Sequence, residues 1–181
     1  MLEASAQSAT SGLIHTLFQL FLALLMLRFL LPLVRANYFN PVCQFIVRIT
    51  DPLLKPVRRL IPTFGRFDAA ALVLMLVVQM LEGWLQSWLM DRPVSFAHLI
   101  VYASLSLVVM LLGMYMIFII VSAVLSWFGA NVRHPLIPLL QQLVDPVLRP
   151  IRRVLPLVAG IDFSPLVALI GIQFLIRLLG W

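Results

Sequence analysis

The stretch Asp51-Pro-Leu-Leu-Lys-Pro-Val-Arg-Arg-Leu-Ile-Pro62 returns 94 residues later as Asp145-Pro-Val-Leu-Arg-Pro-Ile-Arg-Arg-Val-Leu-Pro156. Seven of the twelve positions are identical: both ends, the two inner prolines, a leucine and the Arg-Arg pair. Lys55 becomes Arg149 with its charge kept, and the other changes exchange Leu, Val and Ile. The chain is therefore an internal duplication, and that duplication decides the fold.

The material around the two copies is too apolar for a soluble domain. Of 181 residues, 62% are hydrophobic and 11% charged, with a mean hydropathy of +1.06. Soluble domains hold ~45–50% apolar and ~25% charged residues, so an integral membrane protein is the class implied. The single cysteine, Cys43, excludes an internal disulfide and reads as a small packing residue. Residues 1–11 contain Glu3 and no Lys or Arg, so a cleaved signal peptide is not expected.

Apolar runs on either side of each copy predict four spans. The first repeat covers 13–90, with a span at 13–34, a short helical segment at 40–62 and a span at 67–90. The second covers 96–181, with a span at 96–128, a short segment at 134–156 and a span at 163–181. The 96–128 run exceeds one crossing, which tilt, a break near Gly113 or an extension would absorb. Asn40-Pro41 and His134-Pro135 read as helix starts, a capping side chain followed by proline. Val42, Phe45, Ile46, Ile49 and Leu53 form an apolar stripe at helical spacing, as do Leu136, Leu139, Leu140 and Leu143. Both segments are too short to cross, so helices lying at the interface are expected. Asp51-Pro52 repeats the start signal and predicts a second short helix there, with Pro56 disturbing it and Pro62 ending it. Pro146, Pro150 and Pro156 take those places in the second copy.

Charge sets the orientation. Ten of the thirteen basic residues lie in the two motif segments, and only Arg92 is in the intervening turn. The positive-inside rule puts the motif segments in the cytoplasm and both termini outside. The two hairpins then share one orientation, as parallel repeats about an axis normal to the membrane. The fold expected is all-α, four transmembrane helices in two hairpins, each with a cytoplasmic amphipathic segment.

Three groups of residues are candidates for function. Lys55, Arg58, Arg59, Arg149, Arg152 and Arg153, framed by Asp51, Asp145 and the prolines, offer a paired cationic surface to anionic head groups or an acidic partner. The plainer reading is a topology signal, although topology alone does not require arginine over lysine at both pairs. Glu82 and Arg177 are ionisable residues inside predicted spans, and an ion pair between them is expected. Gln79 and Gln173, also 94 residues apart, are expected to hydrogen-bond between helices. Arg28 reads as a residue that snorkels to head groups, and His15 and Gln19 as one turn apart on the first span. No phosphate-binding glycine loop, zinc-protease helix or nucleophile elbow occurs, so neither an enzyme nor a cofactor or metal site is expected. The basic patches lack interleaved aromatic residues, so nucleic-acid binding is not expected either.

Asn40-Pro41, Asp51 to Pro62 and Asp68, mirrored by His134-Pro135, Asp145 to Pro156 and Asp162, resemble the YggT family of small membrane proteins, as two tandem repeats over nearly the whole chain. The resemblance implies a multi-pass protein of the bacterial inner membrane and carries no catalytic or cofactor residues. It implies links to division-site or nucleoid organisation, to haem attachment in a plastid relative, and in proteobacteria to osmotic-stress tolerance and cation uptake. His15, His98 and His134 do not form an axial haem pair on this topology. Two functions are expected from these readings. The first is a non-enzymatic scaffold or assembly factor that binds membrane-protein partners or anionic lipid through the arginine motifs. The second is a small channel or transporter using Glu82, Arg177, Gln79 and Gln173. Homo-oligomerisation is compatible with both.

Overall fold

A computed structural model describes the backbone of residues 2–91, 93–127, 134–155 and 162–181, and the side chains of these residues from 9 onward, Trp127 excepted. Among the described residues there are six α-helices: α1 (Leu2–Leu33), α2 (Pro41–Leu60), α3 (Ala69–Leu89), α4 (Phe96–Trp127), α5 (Leu136–Val154) and α6 (Ser164–Leu178). Three stretches are long and apolar enough to cross a bilayer: Ala9–Leu33, Ala69–Leu89 and Phe96–Ser126. The fourth expected span folds as α6, apolar but 15 residues long. At ~1.5 Å per residue it covers roughly 22 Å of a ~30 Å hydrocarbon core.

One expectation changes. No second helix starts at Asp51-Pro52, because α2 runs unbroken through Pro52 and Pro56, as α5 does through Pro146 and Pro150. Each proline deletes one rung of the helix ladder, that of the carbonyl four residues earlier. Side chains bridge the weakened stretch instead, since Lys55 pairs with Asp51 and Arg149 with Asp145 one turn away. The long third run contains no break at Gly113 and continues as one helix of 32 residues. Pro156 and Arg92, named in the sequence reading, lie outside the described residues.

Local chemistry explains the helix ends. Asn40 accepts from the Val42 N–H at 2.9 Å, and His134 Nδ1 accepts from the Leu136 N–H at 3.2 Å. Between α2 and α3, Phe64 and Phe67 exchange both backbone hydrogen bonds at 3.0 Å around Gly65-Arg66. Gly65 sits at φ +62°, the sign that a two-residue hairpin turn wants at its first position. The turn delivers Asp68 to the start of α3, where its carboxylate accepts from the Ala71 N–H at 3.2 Å. After α6, Gly180 at φ +81° lets the Trp181 N–H reach the Ile176 carbonyl and the Gly180 N–H reach Arg177. That pattern is the Schellman stop.

The contacts divide the chain into two compact units, residues 1–29 with 48–108, and residues 30–47 with 109–181. In the first, Leu22, Leu25, Leu54, Ala70, Ala71 and Met75 are buried, and Phe29 meets Phe67 edge-to-face at 5.4 Å. Gly83 permits a close approach of α3 to α4, since a Cβ there would stand 3.1 Å from Leu99 Cδ2. In the second unit, Ile119, Val144, Leu148, Ala168 and Ile172 form a core of α4, α5 and α6, flanked by Leu112, Tyr115 and Met116. In a bilayer such packing is held by van der Waals fit and polar contacts, because lipid tails are as apolar as leucine.

The two motif helices differ in what they bury. On α2 the buried face is Cys43, Ile46, Thr50 and Leu54, while Phe45, Ile49 and Leu53 stay exposed. On α5 the positions matching Phe45 and Ile49 are Leu139 and Leu143, and both are buried.

Candidate functional site

The duplicated motif builds the same set of ion pairs twice. In the first copy Asp51 faces Lys55 Nζ at 3.6 Å and Arg58 Nη1 at 3.8 Å, and Arg58 Nη2 reaches across to Asp68. In the second, Asp145 pairs with Arg149 at 3.0 Å and Arg152 Nη1 at 3.6 Å, while Arg152 Nε holds Asp162 at 2.8 Å. Each clamp ties the end of a proline-bearing helix to the carboxylate that opens the following apolar helix. Asp162 itself accepts from the Ser164 N–H at 2.9 Å. Burial pushes the Asp162 carboxyl up, but its bond from the Ser164 backbone N–H, the nearby Ser164 side chain and the Arg152 guanidinium outweigh this and hold it below the usual range.

The six basic residues expected to dock a partner therefore separate. Arg58 and Arg152 are spent on internal ion pairs, and Lys55 and Arg149 lean on their own helix. Arg59 and Arg153 are exposed, and their side chains make no hydrogen bond or ion pair among the described residues. A repeated Arg-Arg thus supplies one guanidinium for architecture and one for the surface. Arg28 is not a snorkelling residue: it is buried and turns to Asp51 Oδ1 at 3.9 Å, because a carboxylate lies within reach.

A second polar centre lies in the first unit, far along the chain from the clamps. Glu82 is 3% exposed, and its carboxylate meets His15 Nδ1 at 2.5 Å, Gln79 Nε2 at 2.9 Å and Gln19 Nε2 at 3.3 Å. Gln86 continues the set, accepting from the Ser11 hydroxyl at 2.5 Å and donating to the Ser11 carbonyl at 3.0 Å. An open cavity of about 520 Å³ adjoins them, lined among others by Ser11, His15, Glu82, Gln86, His98 and Tyr102. In place of the expected pair with Arg177, both Glu82 carboxylate oxygens are filled by His15 and Gln19 of α1 and Gln79 of its own helix α3. The repeat-related amides also part company, as Gln79 is buried and Gln173 exposed.

The cluster was only half visible in the sequence. His15 and Gln19 are four residues apart and Gln79 and Glu82 three, so each pair marks one helix face. Adding Ser11 and Gln86 extends both into polar stripes that can zip together, and the joint reading was missed because stripes on separate helices carry no mark of pairing. Among the described residues, no group of three or more His, Cys, Asp and Glu side chains is placed to hold a metal ion.

With this geometry in view, the comparisons with known proteins are direct. The family profile described as CCB3/YggT matches residues 7–89 and again 101–181, the two halves expected from the duplication. The chain belongs to the CCB3/YggT family. It is 37% identical over 170 residues to an uncharacterized protein of Pseudomonas aeruginosa, covering 93% of this chain and 86% of the relative. It is 34% identical over 156 residues to the uncharacterized protein YggT of Escherichia coli strain K12, covering 86% and 80%. A Vibrio alginolyticus protein is 36% identical over 175 residues, covering 96% and 94%. No solved structure matches. These family relatives give the fold a name but no activity, so function rests on the clamps, the free arginines and the Glu82 cluster.

Proposed function

We propose that this protein is a non-enzymatic scaffold or assembly factor of the bacterial inner membrane. In this reading α1, α3, α4 and α6 cross the bilayer, α2 and α5 lie at its cytoplasmic face, and both termini are periplasmic. The observation that carries it is the division of labour in each Arg-Arg pair, with Arg58 and Arg152 locked to carboxylates and Arg59 and Arg153 left open. The exposed apolar edge of α2, at Phe45, Ile49 and Leu53, supports seating that helix in the head-group region with Arg59 beside it. Each such arginine contributes ~1 kcal/mol toward an anionic leaflet.

The test is crosslinking in native membranes from photoreactive residues placed next to positions 59 and 153. The Arg59→Gln/Arg153→Gln double variant is expected to lose the partner-specific crosslinks while inserting normally. Unchanged crosslinks would remove the docking role.

The Glu82 cluster favours a second reading, a small channel or transporter with a contribution to cation uptake. A buried carboxylate bonded to an exposed-edge histidine and two amides is the kind of intramembrane polar group that marks ion or proton paths. Purified protein in liposomes is then expected to pass K⁺ or Na⁺, and Glu82→Gln to reduce the flux. Absence of flux in the wild-type protein rejects this reading.

A further inference from the structure

The second unit contains a cavity of about 520 Å³ at its motif helix, lined by Val34, Arg35, Gln142, Asp145, Pro146, Arg149, Pro150 and Arg153. We propose that it is a binding site for a phosphate oxyanion, as carried by a phospholipid head group. The inference rests on reading the motif faces as docking surfaces and names the ligand chemistry of one of them.

Charge comes first. Three guanidiniums and one carboxylate line the space, and that carboxylate, Asp145, is already shared by Arg149 and Arg152. The Arg35 and Arg153 guanidiniums have no hydrogen-bond or ion-pair partner among the described residues. Two open planar forks on one cavity match the geometry of a tetrahedral oxyanion, which arginine contacts through paired N–H donors.

The site is held in place from both sides. Arg35 has φ +56°, a left-handed backbone that non-glycine residues adopt at a cost, directly after α1 ends. The loop it opens is tied to α5 by the Asn37 N–H to Gln142 Oε1 at 3.3 Å and by Asn40 Nδ2 to the Pro135 carbonyl at 2.6 Å. On α5, Gln142, Pro146, Arg149, Pro150 and Arg153 share one face by their three- and four-residue spacing. Pro146 has no N–H for the Gln142 carbonyl and Pro150 none for the Pro146 carbonyl. Acceptors thus stand beside the guanidinium donors, which suits a phosphate whose substituent carries hydroxyl groups. Val34, Pro146 and Pro150 supply apolar wall for the glycerol end of a lipid.

The experiment uses the full-length protein in a neutral detergent. Binding of phosphatidylglycerol and of phosphatidylcholine is counted by native mass spectrometry, and binding of inorganic phosphate is measured by equilibrium dialysis. Arg35→Asn/Arg153→Gln removes the two open forks, with asparagine chosen because it tolerates positive φ. Arg48→Gln/Arg66→Gln removes the same charge outside the cavity and outside the proposed docking residues, and both doubles are checked for monodispersity. Wild type is expected to bind phosphatidylglycerol saturably, with about tenfold weaker binding in the cavity double and little change in the control double. Phosphate that competes with the lipid identifies the free anion as a ligand also, whereas lipid binding without it assigns the site to the head group. Equal loss in both doubles overturns the cavity and leaves diffuse attraction by the motif faces. Loss in neither, or no binding by wild type, overturns the cavity and the lipid-docking reading together. If the Arg35 change alone impairs folding, Arg153→Gln against Arg48→Gln makes the same comparison.

Discussion

The two clamps have the same wiring and different surroundings. Arg58 bridges Asp51 and Asp68 as Arg152 bridges Asp145 and Asp162, yet the Asp68 side chain is 4% exposed and the Asp162 side chain 31%. The first clamp also has Arg28 nearby, with no described counterpart for it in the second. A duplicated sequence therefore reproduced the bonds, while the packing around them made one clamp part of the core and left the other at the water boundary. A buried carboxylate robbed of its cation keeps its desolvation cost, whereas an exposed one recovers water.

The largest effect is expected at the buried clamp. Arg58→Gln leaves Asp68 without its cation and should destabilise the protein by about 3 kcal/mol in thermal unfolding in detergent. Arg152→Gln should cost about 1 kcal/mol in the same assay. Equal losses would show that the difference in burial has no energetic weight.

Helix faces give the next contrast. Leu143→Ala on α5 empties a buried site and is expected to cost about 2–3 kcal/mol. The matching Ile49→Ala on α2 should cost well under ~1 kcal/mol, because its side chain is already exposed. Substantial loss at Ile49 would mean that the α2 face is covered by something beyond this chain.

A smaller effect is expected from pH. The folded pKa of Asp162 lies below its unfolded value, so its contribution is complete above the unfolded pKa and is lost as pH falls through the folded one. Asp162→Asn should flatten the acid limb of the stability profile, read from melting temperature between neutral and acidic pH. An unaltered acid limb would assign that limb to other carboxylates. The smallest effect is expected for Arg153→Gln, which should change stability by no more than about 0.5 kcal/mol in thermal unfolding, since it ends no internal bond.

Much of the architecture was legible from the chain alone. The 94-residue offset marks the duplication, the apolar runs mark the long helices, and Asn40 and His134 announce helix starts that the structure bears out. The prolines misled, because Pro52 and Pro146 carry the local sign of a helix start. Burial of Thr50 and Leu54 on α2, and of Val144 and Leu148 on α5, holds each helix continuous across the missing rungs. Gly65 was the unused signal for the turn that aims Asp68 at Arg58.

The sequence by itself determined the repeat, the membrane class and the residue types that carry charge, since these follow from composition and spacing along the chain. Tertiary structure alone decided which arginine of each pair clamps a carboxylate, that Glu82 takes His15 and Gln19 from α1 beside its own helix's Gln79, and that Arg35 joins Arg153 at one cavity. The physical reason is that periodicity records which face of a helix a residue occupies. Which charge meets it depends on helices brought together from dozens of residues away.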